Sequence, residues 1–166
     1  MDILQINIYP FDKKYNRKEF DCGSQRLNNY LQEQVSSNIR QNVAKCYVII
    51  DNNQNIIAYY TLSAFSLNLS SIAASLTKKL PKYNYIPAAL LGRLAVDNKY
   101  KGKKLGNLLL FNAFARCINN DMGIYALIVD TIDENAKKFY LHYGFIEFLD
   151  NSKSLFISLD NIKKLF

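Results

Sequence analysis

The sequence predicts a single α/β (α+β) domain that spans residues 1–166. A chain of this length with 49% apolar residues can bury one core. Alternating and continuous apolar runs predict strands, and apolar stripes at helical spacing predict helices between them. The most informative junction is residues 90–118, where an apolar strand, a basic glycine turn and a helix follow each other directly.

The N-terminal part predicts a strand, a helix and a hairpin. The strand covers residues 3–9 and ends at Pro10. The helix covers residues 20–42 and begins with a Cys-Gly turn. Residues 45–51 and 56–66 predict a hairpin with the polar turn Asp-Asn-Asn-Gln-Asn. One stripe of the helix is apolar and consists of Leu27, Tyr30, Leu31, Val35 and Ile39.

The middle of the chain predicts a short helix and an exposed loop. The helix covers residues 70–80, and the loop, residues 81–87, contains Lys82, Tyr83 and Tyr85. Because loops of this kind often carry specificity, we expect Lys82 to bind the substrate.

Residues 88–96 form a nearly continuous apolar run between Pro87 and Asp97, typical of a strand covered on both faces. Arg93 is the only charged residue in this run. Because an arginine is rarely buried without a partner, two interpretations are equally open. Arg93 either reaches a carboxylate in the core, or it lines the cleft and binds the substrate.

The turn after this strand has the features of a phosphate site. Gly102 and Gly106 let the backbone approach a ligand closely, and a helix that begins near Lys104 offers free N–H groups. Taken alone, however, the six residues of the turn favour a solvated basic turn before a surface helix. The positive charge comes from Lys99, Lys101, Lys103 and Lys104.

The C-terminal part predicts a strand, a helix and a strand pair. The strand covers residues 124–131, and the helix, residues 133–145, has Gly144 at its C-terminal end. Residues 145–149 and 154–159 predict two further strands that complete the sheet.

Two motifs resemble those of the GNAT superfamily of N-acetyltransferases. The turn Lys101-Gly102-Lys103-Lys104-Leu105-Gly106 resembles the acetyl-CoA motif (R/Q)-x-x-G-x-(G/A), with lysine in place of Gln or Arg and of the first glycine. The helix resembles the second motif, N-x-x-A-x-x-x-Y-x-x-x-G-F. It reads Asp133-x-x-Ala136-x-x-Phe139-Tyr140-x-x-x-Gly144-Phe145, so that aspartate replaces asparagine.

Three further stretches resemble one branch of this superfamily, the acetyltransferase toxins of bacterial toxin–antitoxin pairs, which acetylate the amino acid on charged tRNA. These stretches are Phe20-x-Cys22-Gly23 with Leu27-Asn28-x-Tyr30-Leu31, AYYTLSAF at 58–65, and LLGRLAVD at 90–97. Tyr59 stands where this branch usually has glycine. All motifs follow in the correct order from residue 20 to 145, which is far rarer by chance than any single match.

The resemblance implies the GNAT fold, with a mixed, mostly antiparallel central sheet, helices on both faces and a splayed acetyl-CoA cleft. It implies that Tyr140 protonates, or donates a hydrogen bond to, the departing sulfur; a tyrosine that only packs in the core is the alternative. The implied cofactor-binding residues are Leu94, Ala95, Val96, Lys101, Gly102, Lys103, Lys104, Leu105, Gly106, Asn107, Asp133, Ala136 and Phe139.

No residue stands out as a general base. An α-amine titrates near roughly 8, so a neutral amine could attack directly. His142, the only histidine, lies two positions after Tyr140 on the helix and points elsewhere, which favours a solvated surface histidine.

Composition and charge indicate the kind of partner, the role of the cysteines and the location of the protein. The net charge of +7 favours a polyanionic partner such as nucleic acid, anionic cofactors or a membrane surface. Cys22, Cys46 and Cys117 have no metal-binding spacing and are expected to be reduced and structural. With no run of roughly 20 apolar residues and no signal segment, a cytoplasmic protein without a membrane span is expected.

The leading hypothesis is a toxin that uses acetyl-CoA to acetylate the α-amino group of aminoacyl-tRNA and is neutralised by a ribbon-helix-helix antitoxin. A GNAT enzyme that acts on protein N-termini or on a small-molecule amine is the first alternative. A non-catalytic GNAT-fold binding module is the second. A homodimer is compatible with each hypothesis.

Overall fold

The computed structural model describes residues 6–166, in which seven strands form one mixed sheet. The strands are β1 (Tyr9–Pro10), β2 (Lys45–Ile50), β3 (Ile56–Asn68), β4 (Tyr85–Val96), β5 (Ala126–Asp130), β6 (Ile146–Glu147) and β7 (Ser154–Ser158). Their order is β1-β2-β3-β4-β5-β7-β6. The pairs β1–β2, β2–β3, β5–β7 and β6–β7 are antiparallel, whereas β4–β5 is parallel. The mixed, mostly antiparallel sheet that the sequence predicts is therefore confirmed.

Six α-helices accompany the sheet in the described part of the chain. They are α1 (Gln25–Asn29), α2 (Val35–Arg40), α3 (Ala74–Thr77), α4 (Leu105–Ile118), α5 (Glu134–His142) and α6 (Leu159–Lys163). A π-helical turn, Tyr30–Gln34, joins α1 to α2, so the helical stretch is continuous from Gln25 to Arg40. Within residues 6–166, no helix has the length and apolar character that a membrane crossing requires.

The chain divides into two compact units, each built from two separate parts of the sequence. The first unit contains Met1–Ser63 and Gly92–Ala113, and the second contains Ala64–Leu91 and Phe114–Phe166. Strands β3 and β4 and helix α4 each pass from one unit into the other. The single domain predicted for residues 1–166 stays a prediction.

The core of the first unit is formed by the helical stretch 25–40 and strands β2 and β3. Ser24 caps α1 by accepting a hydrogen bond from the backbone N–H of Leu27, which is why the helix begins at Gln25. The predicted stripe is confirmed, since four of its members are buried and Ile39 packs against them in a partly buried position. The buried members are Leu27, Tyr30, Leu31 and Val35.

The core of the second unit lies around β5 and β7. Gly144 follows α5 with φ +93°, the left-handed conformation predicted for the C-terminal end of this helix. Helix α6 was not predicted, although Ser158 caps it and accepts from the backbone N–H of Asn161 at 3.2 Å. The buried cluster contains Leu67, Ile72, Ile86, Ala88, Ala126, Ile128, Phe148 and Phe156.

The first strand differs from the prediction. Part of the predicted strand, residues 3–9, lies outside the described residues, and 6–8 are not in a strand. Strand β1 begins only at Tyr9 and pairs with β2 at the edge of the sheet. Pro10 is tolerated as its last residue because an edge strand does not need every N–H group.

Strand β4 begins earlier than predicted, and more of its residues are exposed to solvent than the sequence predicts. It starts at Tyr85 and includes Pro87, whose carbonyl accepts a hydrogen bond from the backbone N–H of Tyr125 at 2.9 Å. Exposed Pro87 and Gly92 lie between buried positions such as Ala88 and Leu91. The prediction of a strand covered on both faces is therefore wrong, because an apolar run alone does not reveal which of its faces is packed.

Candidate active site

The glycine turn connects β4 to α4 in the first unit. Asp97 caps a short 3-10 turn, Asn98–Tyr100, and α4 begins at Leu105, as predicted. Gly102 has φ +82° and is exposed, with no neighbouring atom within 4 Å of where a side chain would begin. Gly106 lies in the first turn of α4, where backbone N–H groups lack intrahelical partners. The turn therefore offers open backbone donors for an anion.

Lys104 adopts an unusual backbone conformation immediately before α4. Its φ is +60°, in the left-handed region that non-glycine residues occupy at a cost of roughly 1–2 kcal/mol. Lysine can replace the first glycine of the acetyl-CoA motif without backbone strain only where φ is negative, and at Lys104 it is positive. The usual glycine is thus explained by backbone geometry, and Lys104 retains this geometry under strain.

The turn is held by hydrogen bonds to the N-terminal segment. The Asp97 side chain, only 7% exposed, accepts from the backbone N–H of Asp21 at 3.0 Å and of Lys99 at 2.9 Å. The backbone N–H of Asn98 donates to the carbonyl of Asp21 at 2.8 Å. These bonds tie the segment around Asp21 to residues 97–99, where the turn begins.

Lys101 and Asn28 extend this support. The Lys101 ammonium donates to the carbonyl of Cys22 at 2.8 Å. Asn28 accepts from the Cys22 N–H at 2.9 Å and donates to the Asp21 carboxylate at 2.9 Å. Hydrogen bonds from the Gly23 N–H and the Asn28 amide, with the Lys101 charge nearby, lower the pKa of Asp21. Lys101, predicted to bind the cofactor, thus already has a structural partner.

Arg93 lies over an aromatic ring. Its guanidinium carbon is 3.5 Å from the centroid of the Tyr30 ring, and within residues 6–166 it forms no ion pair with a carboxylate. Tyr30 is buried, stacks on Tyr59 and accepts a hydrogen bond from the Asn38 amide at 3.1 Å. Of the two interpretations of Arg93, the carboxylate in the core is wrong for the described chain, and the cleft-lining role stays a prediction.

Thr61 was missed by the sequence analysis. Its hydroxyl oxygen is buried and has no hydrogen-bond partner within residues 6–166. A side-chain carbon built on Gly92 would lie 3.1 Å from this oxygen, so a larger residue at Gly92 would press on Thr61. The sequence TLSA contained Thr61 within a family-like stretch, but nothing in it indicated that the hydroxyl would be buried.

Tyr140 lies on α5 in the second unit and is 7% exposed. The rings of Phe139 and Phe145 pack edge-on against it, with centroids 5.2 Å away in each case. Burial raises the pKa of Tyr140, so the hydroxyl keeps its proton at neutral pH. No described residue hydrogen-bonds to this hydroxyl, and its oxygen is not among the fully buried unpaired atoms, so water or a ligand can reach it. Packing explains the ring of Tyr140 but not its unpaired hydroxyl.

Comparison with known proteins identifies the family. Over residues 12–159 the sequence matches the acetyltransferase (GNAT) domain. This chain belongs to the GNAT acetyltransferase family. A relative from Mycobacterium tuberculosis, described as a tRNA-acetylating toxin, is 30% identical over 128 residues, which cover 76% of this chain and 75% of the relative.

Three solved structures of the AtaT toxin resemble this GNAT chain over nearly its whole length. AtaT complexed with acetyl-methionyl-tRNAfMet has a TM-score of 0.90 at 30% identity, covering 97% of this chain and 99% of that one. AtaTR bound with acetyl-CoA has a TM-score of 0.85 at 28% identity, with 97% and 98% covered. A tyrosine-to-phenylalanine mutant of AtaT bound to the C-terminus of the antitoxin AtaR has a TM-score of 0.84 at 27% identity, with the same coverage.

The predicted site residues of this GNAT chain are divided between its two units. Arg93, the strand residues 94–96 and the turn residues 101–107 belong to the first unit. Lys82 and the residues of the second motif belong to the second unit. Strand β4 pairs with β5 only from Ala89 to Leu91 and continues to Val96.

The other residues of the second GNAT motif have local roles on α5. The Asp133 carboxylate caps the helix and accepts from the backbone N–H of Ala136 at 2.7 Å. Phe139 is half-buried and packs edge-on against Tyr143. His142 is exposed, as predicted for a solvated histidine.

The three cysteines are free and buried, consistent with the predicted structural role. Burial raises the pKa of each thiol, to about 12 for Cys46 and about 11 for Cys117, so none is a ready nucleophile at neutral pH. Within residues 6–166, no group of three or more His, Cys, Asp or Glu residues could hold a metal ion.

Proposed function

We propose that this protein transfers the acetyl group of acetyl-CoA to the α-amino group of aminoacyl-tRNA and so inhibits translation. The observation that carries the proposal is the similarity to AtaT complexed with acetyl-methionyl-tRNAfMet, at a TM-score of 0.90 over 97% of this chain. The tRNA-acetylating relative from Mycobacterium tuberculosis supports the same reaction. The net charge of +7 suits a polyanionic substrate.

The glycine turn fits the phosphate-bearing part of acetyl-CoA. Gly102 leaves the approach to the backbone open, and the start of α4 provides N–H donors through Leu105 and Gly106, with the proposed cofactor-binding residue Asn107 next in the same turn. Exposed Lys103 and Lys104 add positive charge. Lys101 contributes mainly by holding the turn to the carbonyl of Cys22. The AtaTR structure bound with acetyl-CoA supports this cofactor for the present chain.

The end of β4 is proposed to hold the pantetheine arm. The backbone groups of Leu94, Ala95 and Val96 lie beyond the last residue of β4 that pairs with β5, Leu91. An added strand-like segment needs backbone groups of this kind. When bound, acetyl-CoA supplies the thioester-linked acetyl group, and the protein orients it.

Tyr140 is proposed to hold the proton that the departing sulfur needs. Burial raises its pKa, so the hydroxyl oxygen carries a proton, and no described residue takes its hydrogen bond. The attacking α-amine does not require a strong general base, because the α-amine of an aminoacyl ester titrates near roughly 8 and is largely neutral without one. The second-motif residues Asp133, Ala136 and Phe139 are proposed to shape the helix that presents Tyr140.

Arg93 and Lys82 are proposed to bind the tRNA. Arg93 is placed over Tyr30 with its N–H donors unpaired within the described chain, so they can bind a phosphate or ester oxygen. Lys82 lies in an exposed loop and can pair with a phosphate. Both residues contribute to the charge that a polyanionic substrate requires.

We also propose a ribbon-helix-helix antitoxin as the neutralising partner and the cytoplasm, where charged tRNA is used, as the location. The structure of AtaT bound to the C-terminus of the antitoxin AtaR supports a protein partner. A homodimer stays a prediction.

The decisive experiment is incubation of the purified protein with total charged tRNA and labelled acetyl-CoA. We expect the label on the amino group of one or more aminoacyl esters, and KM for tRNA should rise steeply with salt. Label on peptide N-termini or small amines only, with no salt dependence, would favour the first alternative. Failure to bind acetyl-CoA in calorimetry would favour the non-catalytic module.

A further inference from the structure

A basic and aromatic loop follows α3 in the second unit. This segment, named the 78–85 loop, ends at Tyr85, the first residue of β4. It contains the tyrosines 83 and 85 and three exposed lysines, Lys78, Lys79 and Lys82. Tyr83 is 66% exposed and Tyr85 is 59% exposed, whereas nine of the twelve tyrosines are buried or half-buried. Exposed aromatic surface within a polar rim typically marks an interaction site.

The 78–85 loop is anchored at both ends, so the tyrosines are presented from a defined backbone. Leu80 packs against the core of the second unit, and Ile86, directly after the loop, is buried in that core. The carbonyl of Asn84 accepts a hydrogen bond from the backbone N–H of Leu69 at 3.1 Å. The loop therefore loses less conformational freedom on binding than a free segment would.

No contact within the described chain accounts for these side chains. Neither tyrosine packs against another ring or a cation, and none of the three lysines forms an ion pair within residues 6–166. The surrounding sequence adds no compensating charge, since residues 52–96 contain no Asp or Glu. Unpaired lysines beside unpacked tyrosines are the combination that binds single-stranded nucleic acid: cations for the phosphates and rings for the bases.

We propose that the 78–85 loop binds the unpaired 3′-terminal nucleotides of the tRNA, with Tyr83 and Tyr85 stacked on bases and the lysines paired with phosphates. This inference rests on the proposed function. Bases within a duplex stack on each other and cannot stack on a tyrosine, so the rings require unpaired nucleotides. The aminoacyl group is attached to the unpaired 3′ end, which the enzyme must hold for transfer.

The test compares binding of two uncharged acceptor-arm RNA minihelices, one with the unpaired 3′ tail and one blunt, by fluorescence anisotropy. The wild type should bind the tailed RNA more tightly. Tyr83→Ala and Tyr85→Ala should each weaken binding of the tailed RNA about 5- to 140-fold, from roughly 1–3 kcal/mol per stacked base at about 1.4 kcal/mol per tenfold. The corresponding phenylalanine variants keep the ring and should bind as the wild type does.

The lysines have a matched control. Replacement of Lys78, Lys79 and Lys82 by alanine should lower the slope of log Kd against log salt by about 2, at roughly 0.7 per phosphate of a single strand. Alanine at Lys163 and Lys164, which are exposed in the same unit but outside the loop, should leave the preference for the tail unchanged. Melting temperatures confirm that all variants are folded.

Two results would overturn the inference. Equal losses on tailed and blunt RNA would mean that the loop contacts duplex backbone, and unchanged binding of both would mean that it does not bind RNA. The proposed function fails separately, when the wild type labels no aminoacyl-tRNA. If the wild type is active and the tyrosine-to-alanine variants keep its KM for charged tRNA, only the loop assignment is wrong.

Discussion

The guanidinium carbon of Arg93 lies 3.5 Å from the centroid of the Tyr30 ring, a cation–π contact between strand β4 and the first residue of the π-helical turn. The stack continues through Tyr30 to Tyr59, whose hydroxyl donates to the carbonyl of Leu27 at 2.7 Å. A ring fixes the plane of a guanidinium without occupying its N–H donors. The contact therefore orients Arg93 while leaving its donors available to a ligand.

The contact predicts that Arg93→Ala lowers the activity of the protein but not its stability. Hydrogen bonds to charged groups contribute roughly 1.5–3 kcal/mol, so kcat/KM for charged tRNA should fall about 10- to 150-fold. The melting temperature should change little, because no ion pair is broken. Tyr30→Leu should reproduce the kinetic loss, whereas Tyr30→Phe, which keeps the ring, should not. A loss of stability of roughly 3–5 kcal/mol in Arg93→Ala would instead indicate a buried ion pair.

Lys104→Gly should stabilise the protein. Glycine removes the roughly 1–2 kcal/mol cost of a positive φ but adds roughly 0.5–1 kcal/mol of backbone entropy, so a net gain of about 0.5–1 kcal/mol is expected in urea unfolding. Lys103→Gly is the control, since Lys103 does not have a positive φ and only the entropy cost applies. If both variants lose stability equally, Lys104 is not strained.

Gly106→Trp should abolish acetyl-CoA binding in calorimetry while leaving the fold intact. Gly106 is in the first turn of α4, where an indole would occupy the space of the pyrophosphate. Gly123→Trp is the control, because Gly123 is exposed with no atom within 4 Å of where a side chain would begin. Unchanged affinity in a folded Gly106→Trp protein would place the phosphate site elsewhere.

Tyr140→Phe removes one hydroxyl and keeps the packing against Phe139 and Phe145. Positioned general acids contribute roughly 10²- to 10⁴-fold, so kcat should fall by about that factor with little change in cofactor affinity. In cells, expression of the wild type without its antitoxin should arrest growth, and this variant should relieve the arrest. Tyr125→Phe, in the same unit, should behave as the wild type. A near-normal transfer rate in Tyr140→Phe would make Tyr140 a packing residue.

The pH dependence of single-turnover transfer follows from the raised pKa of Tyr140. Burial disfavours the phenolate, so the folded-state pKa lies above the ordinary 10.0 and the proton is retained throughout the neutral and mildly alkaline range. The rate should rise as the α-amine loses its proton near roughly 8 and show no descending limb below about 10. A descending limb between pH 7 and 9 that disappears in Tyr140→Phe would contradict the raised pKa.

The raised pKa of Tyr140 also makes the stability of the folded protein depend on pH. The stability that the protein gains by burying protonated Tyr140 is fully present below the pKa that this tyrosine has in the unfolded chain. It is lost as the pH rises beyond that value towards the higher pKa of Tyr140 in the folded protein. Unfolding experiments above pH 10 should therefore show a steeper loss of stability in the wild type than in Tyr140→Phe.

Most of the fold and the position of the glycine turn were predictable because their causes are local. The stripe from Leu27 to Val35 follows from helical spacing, and Gly144 ends α5 because glycine adopts a positive φ at low cost. The start of α4 at Leu105 follows from the glycine turn. Helix α6 escaped prediction because its short apolar pattern is weak, although its cap at Ser158 was present in the sequence.

Only the tertiary structure decided which residues meet. The pairing of Arg93 with Tyr30, the bonds from Asp97 to Asp21, and the partner of Lys101 join residues far apart in sequence. Spacing along the chain carries no information about such contacts, because strand register and helix docking bring them together. The positive φ of Lys104 was also decided by the tertiary structure. A lysine can have a negative or a positive φ, and the segments on each side of the turn impose the positive one.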